Sequence, residues 1–434
     1  MIDYTIPEVS SILKISTRMV RKCVAIGLIP TVPSNSSLRI SKKDLDEFLK
    51  TQEKEGNVQK DIFGNISLNL PTEVTKRKRE TPIKEDNVNW VDISDIWNNP
   101  PKQEFTFIDL FCGAGGLSKG LEMAGLKGIC GLDWFKEAGE TYRANFKHHY
   151  VEGDIKLPEV KKQFYDTIHK ELGDKHPTII AGGFPCQGFS LAGNRIMDDP
   201  RNSLYKEMLD IVKTLKPLYV ICENVIGIRS MLGGRVEQKI LDDFKGAGYD
   251  INVTLLRAAD YYVPQKRDRV IFIGNRIGAP VYHPKPLLSP SNYVTVGQAI
   301  GDLMNHGNDP AFNHILPKHR PDLIERMKKL KPGEALYKGY LDSWRRCPWD
   351  DASYTVKENH GGTSIHPKLP RCLTPRELAR LQSFPDDFIF YGPKTKQLVQ
   401  IGNAVPPLLG KAIGLSIVKS IESLKVKSNE TIVK

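Results

Sequence analysis

Disulfide frameworks, zinc ribbons and membrane spans leave no trace in this 434-residue chain. Its seven cysteines are an odd number without paired spacing and without a C-x-x-C. That pattern implies reduced thiols and excludes both a disulfide scaffold and a cysteine zinc site. The ten histidines do not gather at ligand spacing, since His360 and His366 stand in a loop without supporting acids, so no metal is expected. No apolar run approaches the length of a membrane span, and Met1-Ile2-Asp3-Tyr4 lacks the basic and apolar halves of a signal peptide. A cytoplasmic protein without membrane contact is the expectation.

What is present is positive charge. A net charge of +11 and a pI near 9.1 fit a protein that meets phosphate backbones, or one that carries many solvated lysines. An apolar fraction of 40% in a chain this long is enough for two or three packed domains.

Residues 1–50 read as a unit of their own. Tyr4 to Pro7 is an extended entry, Glu8 to Leu13 a short helix, and Ser16 or Thr17 caps a second helix, Arg18 to Ala25, closed by Gly27. Leu38-Arg39-Ile40 has the look of a wing strand, and Ser41 caps a last helix, Lys42 to Lys50. The outline resembles excisionase-type winged helix-turn-helix domains, which would put Thr17, Arg18, Arg21 and Lys22 on a DNA-facing helix; a small helical bundle docking on a protein is the other reading. Residues 51–103 are polar and broken by Gly, Pro and Asn, which reads as a linker.

From Phe105 onward, short apolar runs alternate with helix-length segments: Phe105 to Phe111, Gly128 to Leu132, Thr178 to Ala181, Leu218 to Cys222, Asn252 to Leu256 and Val270 to Gly274. This predicts an α/β domain over 104–275 built on a mostly parallel sheet, its last two strands paired like a hairpin at one edge. Residues 276–371 lose the alternation and become rich in Pro, Gly, His and Asn, predicting a smaller irregular domain; 372–425 return to the first domain and 426–434 are a tail.

Strand ends carry the chemistry, in two groups. Phe111-Cys112-Gly113-Ala114-Gly115-Gly116 is a glycine loop between a strand and a helix, where Phe111, Gly113 and Gly115 let a ligand approach the backbone. Asp133 closes the next strand, where a carboxylate accepts from ribose hydroxyls. Beside it, Trp134 either lies on an adenine or packs in the core, and Asp154, next to Ile155, either accepts from an adenine amino group or caps a helix. No Gly-Lys-Ser/Thr follows the glycine loop, so a P-loop is excluded. At the other end, Phe184-Pro185-Cys186-Gln187 holds a thiol on a rigid loop, and Glu223-Asn224-Val225 closes another strand with a carboxylate: a nucleophile and acid pair, unless Cys186 is a buried thiol and Glu223 a salt-bridge partner.

The ordered set of those motifs with Gln265-Lys266-Arg267-Asp268-Arg269, Arg376-Glu377-Leu378-Ala379-Arg380-Leu381-Gln382-Ser383-Phe384-Pro385 and Gly402-Asn403-Ala404-Val405-Pro406 resembles the bacterial-type DNA (cytosine-5) methyltransferases over about residues 105–415. The resemblance implies a Rossmann-like S-adenosylmethionine-dependent sheet with a target-recognition domain at 276–371. It implies that Cys186 attacks C6 of a flipped cytosine and that Glu223 holds the base. It places Phe111, Gly113, Gly115, Asp133, Trp134, Asp154, Ile155, Pro185, Asn403 and Ala404 at the methyl donor. Asp133 stands where many members have Glu. Arg267 and Arg269 alternate on an extended segment and either clamp the base, a phosphate or the catalytic loop, or belong to a salt-bridged strand edge.

The implied partner is double-stranded DNA in the nucleoid, touched by Gln187 and Ser190 near the thiol, by Arg345 or Arg346 in the reader segment, and by Arg18 and Arg21 in the N-terminal unit. The expected setting is a restriction-modification system, with a cognate endonuclease but no stable complex, or else a solitary methylase; the N-terminal unit either represses its own or a partner nuclease's gene or only raises affinity for any DNA by tethering. Two other readings are a tRNA cytosine methyltransferase sharing the catalytic domain and a DNA-binding regulator with a vestigial one.

Overall fold

A computed structural model describes residues 3–13, 17, 20, 24, 29, 39–54, 58–60, 66–68, 88–102, 104–185, 203–337, 344–358 and 364–432. The chain divides into two compact units, Met1–Asn87 and Val88–Lys434. In the first, β1 (Asp3–Thr5) leads into α1 (Ile6–Leu13) and pairs antiparallel with β2 (Arg39–Ser41), which runs into α2 (Lys42–Lys54). Both helices start on side-chain caps. Glu8 N–H donates to Thr5 Oγ1 at 3.4 Å while Thr5 N–H donates back to Glu8 at 2.6 Å, and Asp44 N–H donates to Ser41 Oγ at 3.1 Å. Ile6, Val9, Leu13, Val20, Ile29, Ile40, Leu45 and Phe48 form its core. A short pair, β3 (Val58–Lys60) with β4 (Ile66–Leu68), completes its described part.

The second unit begins inside the stretch whose composition reads as linker. There β5 (Asn89–Val91) and α3 (Ser94–Trp97) bury Ile93, the residue that precedes the helix, and Trp97, its last residue, in the core of this unit. A few apolar residues at the right spacing suffice for that, and averaging over a polar stretch hides them.

A seven-stranded sheet organises the rest. Its strands are β6 (Thr106–Leu110), β7 (Lys127–Asp133), β8 (His149–Glu152), β9 (Ile179–Gly182), β10 (Tyr219–Val225), β11 (Asp250–Arg257) and β12 (Asp268–Asn275), in the order β11-β12-β10-β9-β6-β7-β8. Six run in one direction, five of them paired in parallel, and β12 runs antiparallel between β10 and β11, with which it forms an edge hairpin. The chain winds from β6 outward to β8 and then crosses to β9 on the other side of β6. Loops therefore diverge above the β6/β9 pair, which opens a crevice at the carboxyl ends.

Alternation along the strands feeds two cores. Ile108, Ile180, Val220 and Cys222 face one layer with Phe164, Tyr205, Met208, Ile240 and Phe244. Phe107, Ile179, Ala181, Tyr219 and Ile221 face the other. The first layer comes from α6 (Pro158–Leu172), α7 (Ser203–Leu215) and α8 (Arg235–Gly246). The second comes from α4 (Gly116–Met123) and the long C-terminal helix α13 (Pro407–Ile432). The remaining helices, in chain order, are α5 (Lys136–Asn145) after β7, α9 (Val296–Ile300) and α10 (Pro321–Lys328) in the irregular segment, and α11 (Pro375–Leu381) and α12 (Lys394–Asn403) after it. One short strand, β13 (Tyr282–Pro284), pairs in parallel with β5.

The stretch Lys394–Leu424 is apolar enough to cross a membrane by length and composition, against the expectation from the sequence, but 83% of its apolar run is buried within this protein. Its apolar character is used in packing on α4. The two helices touch backbone to backbone: a Cβ at Gly120 would collide with Pro407 O and the Cα of Gly410.

Beneath the glycine loop lies a buried polar chain. Ser118 Oγ donates to Asp109 Oδ2 at 2.6 Å, lies 2.9 Å from Tyr142 Oη, and that oxygen lies 3.1 Å from His148 Nδ1. Burial pushes the Asp109 carboxyl up to about 7, and the Ser118 hydroxyl pulls it back only in part.

Two predictions follow from this packing. Gly120→Ala should lower stability by about 1–3 kcal/mol through overpacking, whereas Gly246→Ala, at a helical position with open space around it, should raise it by about 0.5–1 kcal/mol; thermal melts of both variants check this. Asp109 has a folded pKa above its unfolded one, so its contribution is fully present below about pH 4 and is lost as pH rises through about 7. Asp109→Asn should gain on wild type between about pH 4 and pH 7, by about 4 kcal/mol as an upper bound. A difference in denaturation midpoints that does not move with pH would rule out a neutral buried Asp109.

Candidate active site at the carboxyl rim of the sheet

Leaving β6, the chain turns sharply. Phe111 and Gly113 have φ of 57° and 52°, and Gly115, the cap of α4, has φ of 92°. A side chain at Gly115 would strike Phe146, so only glycine closes this turn, while a Cβ at Gly113 would meet nothing within 4 Å. The loop is therefore packed behind and bare in front.

Asp133 holds this loop to the end of β7: one carboxylate oxygen accepts from Gly113 N–H at 2.8 Å, the other from Phe135 N–H at 2.9 Å. Burial raises its pKa, and the N–H donors act against that. Each oxygen keeps a further acceptor position, which suits a vicinal diol. Trp134 is 75% exposed beside it, so core packing, one of its two sequence readings, does not apply. Asp154 is half-buried in the turn before α6; it accepts from Lys156 N–H at 3.0 Å and its carbonyl from Leu157 N–H at 2.9 Å, while Ile155 is buried. Pro407 begins α13 just past Ala404, which is half-buried against the glycine loop, and Asn403 is exposed. A bare glycine turn, a diol-sized carboxylate and an exposed indole on neighbouring strand ends fit an adenosine-containing group such as S-adenosylmethionine.

The thiol end is built on β9 and β10. Phe184 is buried in the core and Pro185 exposed, while Cys186, Gln187 and Ser190 lie outside the described residues. Asn224 anchors the approach to Cys186: it is 4% exposed and its Nδ2 donates to Phe184 O at 2.9 Å. Glu223 stands at the strand end with a carboxylate oxygen 3.1 Å from where a Cβ of Gly183 would be. Arg269 Nε lies 2.8 Å from the other oxygen, in a mostly buried ion pair. Among the described cysteines, Cys112, Cys130, Cys222, Cys347 and Cys372 are all buried, and burial pushes the Cys130 and Cys347 thiols up to about 12. Those thiols are poor nucleophiles.

Arg267 does something other than its sequence reading. It is 2% exposed and donates to Val356 O at 2.8 Å and Gly402 O at 3.1 Å, so its guanidinium braces backbone instead of facing an open site. Burial works against its charge, Arg269 adds to that, and Glu223 opposes it.

Arg346 also departs from its reading as a DNA contact. It is 4% exposed and donates to the carbonyls of Met327, His366 and Pro367, because the irregular segment lacks regular ladders and its carbonyls need donors. Arg345 is half-buried, stacked 3.9 Å over the Tyr354 ring, with Nε donating to Gly333 O at 2.6 Å. Arg18 and Arg21 lie outside the described residues.

Several contributors carried no sequence signal beyond their place in a motif. Arg376 is fully buried and donates to Phe312 O, Pro385 O and Phe388 O. Glu377 completes a capping box with Thr374 and takes two bonds from Arg371. Arg380 pairs with Asp302 and Asp386.

Comparison with known proteins agrees with this geometry. Residues 105–419 match the family described as C-5 cytosine-specific DNA methylase, and residues 4–53 match a helix-turn-helix domain. The chain is 37% identical over 329 residues to the Type II methyltransferase M1.HphI of Haemophilus parahaemolyticus, covering 72% of this chain and 87% of that one. It is 32% identical over 395 residues to M.DdeI of Desulfomicrobium norvegicum, covering 75% and 91%. Among solved structures, a protein described as a DNA modification methyltransferase encoded within an Escherichia coli prophage superposes with a TM-score of 0.62 at 28% identity, over 74% of this chain and all of that one. With a family match spanning most of its length and relatives matched nearly end to end, the chain belongs to the C-5 cytosine-specific DNA methylases.

Proposed function

We propose that the protein is a site-specific DNA cytosine-5 methyltransferase acting on duplex DNA through a covalent adduct of Cys186 with a flipped cytosine. One observation carries this reading: the Glu223 carboxylate, held by Arg269, lies against Gly183, three residues before Cys186, on the same rim as the glycine loop and Asp133.

Pyrimidine C5 is a poor nucleophile. Addition of the Cys186 thiolate to C6 moves the ring electron pair toward C5 and N3, leaving C5 electron-rich, the state that alkylation requires. Glu223 gives a proton to N3 and accepts from the exocyclic amine, so the negative charge that attack pushes onto N3 is neutralised, and Arg269 fixes that carboxyl group in turn. Loss of the C5 proton and departure of the thiolate restore the aromatic ring. S-Adenosylmethionine, when bound, supplies the methyl group; Phe111, Gly113, Gly115, Asp133, Trp134, Asp154, Ile155, Pro185, Asn403 and Ala404 would hold it. Arg267 acts as a positioning residue. A base inside a duplex is out of reach of a thiol, so extrusion is required, with Gln187 and Ser190 beside the base and the 276–371 segment, through Arg345, reading the flanking sequence.

The setting is a restriction-modification system in the cytoplasm, on nucleoid DNA, with an endonuclease that shares the target and forms no stable complex. The N-terminal unit adds a second DNA contact, at an operator upstream of the enzyme's own gene or its partner's.

Plasmid from cells expressing the wild type should show protected cytosines at one short motif on bisulfite sequencing, and Cys186→Ala should abolish them; no protected cytosine in the wild type would sink the enzymatic reading. Removing residues 1–87, which leaves β5 in place, should abolish binding to upstream promoter DNA while sparing methylation. Unchanged promoter binding would exclude autoregulation.

A further inference from the structure

Two buried amides join the reader segment to the turn assigned to the methyl donor. Gln265 and Gln382 are both fully buried. Gln265 Oε1 accepts from Val356 N–H at 2.7 Å, and its Nε2 donates to Leu381 O at 3.1 Å and to Gln382 Oε1 at 2.8 Å. Gln382 Nε2 continues the line, donating to Ile401 O at 2.6 Å and to Ala404 O at 3.3 Å. Two side chains thus connect the backbone of Val356 to that of Ala404. A second line runs parallel to the first, since Arg267 donates to both Val356 O and Gly402 O.

The backbone between these anchors is packed without slack. Lys266 N–H donates to Ser353 O at 2.9 Å and Ser353 N–H to Pro264 O at 3.0 Å. A Cβ at Gly402 would collide with the backbone of Lys357 and Glu358. Each amide has a fixed polarity, with oxygen toward the reader side and nitrogen toward the 401–404 turn. Turning either one over sets donor against donor. A shift of the 353–358 strap therefore either carries the 401–404 turn with it or leaves buried polar groups unpaired, and the second outcome is costly.

We infer that Gln265 and Gln382 are positioning residues that couple DNA reading to cofactor binding, so that each ligand strengthens the other. This rests on the assignments of the 276–371 segment to DNA and of Asn403 and Ala404 to the cofactor. Linkage is reciprocal: whatever factor the duplex adds to cofactor affinity, the cofactor adds to duplex affinity.

The test uses the full-length protein, S-adenosylhomocysteine as the probe, and a duplex carrying the motif found by bisulfite sequencing. Calorimetric titration gives the dissociation constant of the probe with and without duplex, and the ratio of the two is the coupling factor. For the wild type this factor should be about tenfold, within the usual range for coupled sites. Gln382→Met keeps the length and removes the amide, and should bring the factor close to one while both ligands still bind. Gln265→Met should do the same, which covers a failure of the first variant to fold. Phe244→Leu, in the core layer on the other face of the sheet, supplies a loss of melting temperature without touching the relay and should retain the wild-type factor. A wild-type factor of one, or a factor kept in both Gln variants, overturns the inference. A wild type that binds neither probe nor duplex instead removes the assignments beneath it.

Discussion

The constraint on which the molecule depends is that its parallel sheet is covered on both faces. Strands such as Ile179–Gly182 and the start of Tyr219–Val225 are fully buried, and their alternate side chains feed two separate apolar layers. A sheet buried in this way has no face to offer a polar ligand. Chemistry is displaced to the carboxyl rim, where strands end and loops diverge. The glycine turn, Asp133, Pro185 and Glu223 all sit there for that reason. Because the crossover from β8 to β9 returns past β6, the loops carrying the cofactor candidates and the loop entering Cys186 leave adjacent strands.

A rim of loops needs bracing, and this protein braces it with side chains that bond backbone. Asn224 holds Phe184, Arg267 holds Val356 and Gly402, Arg376 holds Phe312, Pro385 and Phe388, and Arg346 holds a cluster of carbonyls in the irregular segment. Guanidinium and amide groups suit this work because each offers several donors in a fixed plane. A segment without helices or ladders leaves carbonyls that must be satisfied when buried. The cationic motif residues thus divide into two kinds. Arg269 pairs with the carboxylate of the site, whereas Arg267, Arg346 and Arg376 serve the frame around it.

Fold class and the rim residues were legible in the sequence because they rest on local signals. Short apolar runs separated by helix lengths gave the sheet and its antiparallel edge pair. Glycines after the first strand, an acid at the end of the second and the Phe-Pro-Cys-Gln loop marked strand ends. The short elements at Asn89–Val91 and Ser94–Trp97 were hidden, since their stability comes from a core hundreds of residues away in the chain. Among the cations, spacing alone could not separate Arg345 from Arg346: one lies on an aromatic ring, the other in a cage of carbonyls, and the difference is which way each faces.

By itself the sequence determined a basic chain with a separate N-terminal unit and an α/β domain, the order of its strands along the chain, and the residue types able to do thiol, carboxylate and ribose chemistry. Those follow from composition, periodicity and short motifs, which are local. Only the tertiary structure decided that Trp134 is exposed, that Glu223 is paired with Arg269, and that Gln265 and Gln382 meet across more than a hundred residues of chain. Burial and pairing depend on which distant segments arrive at the same place, and hydrogen-bond partners separated so far along the chain leave no periodic mark in it.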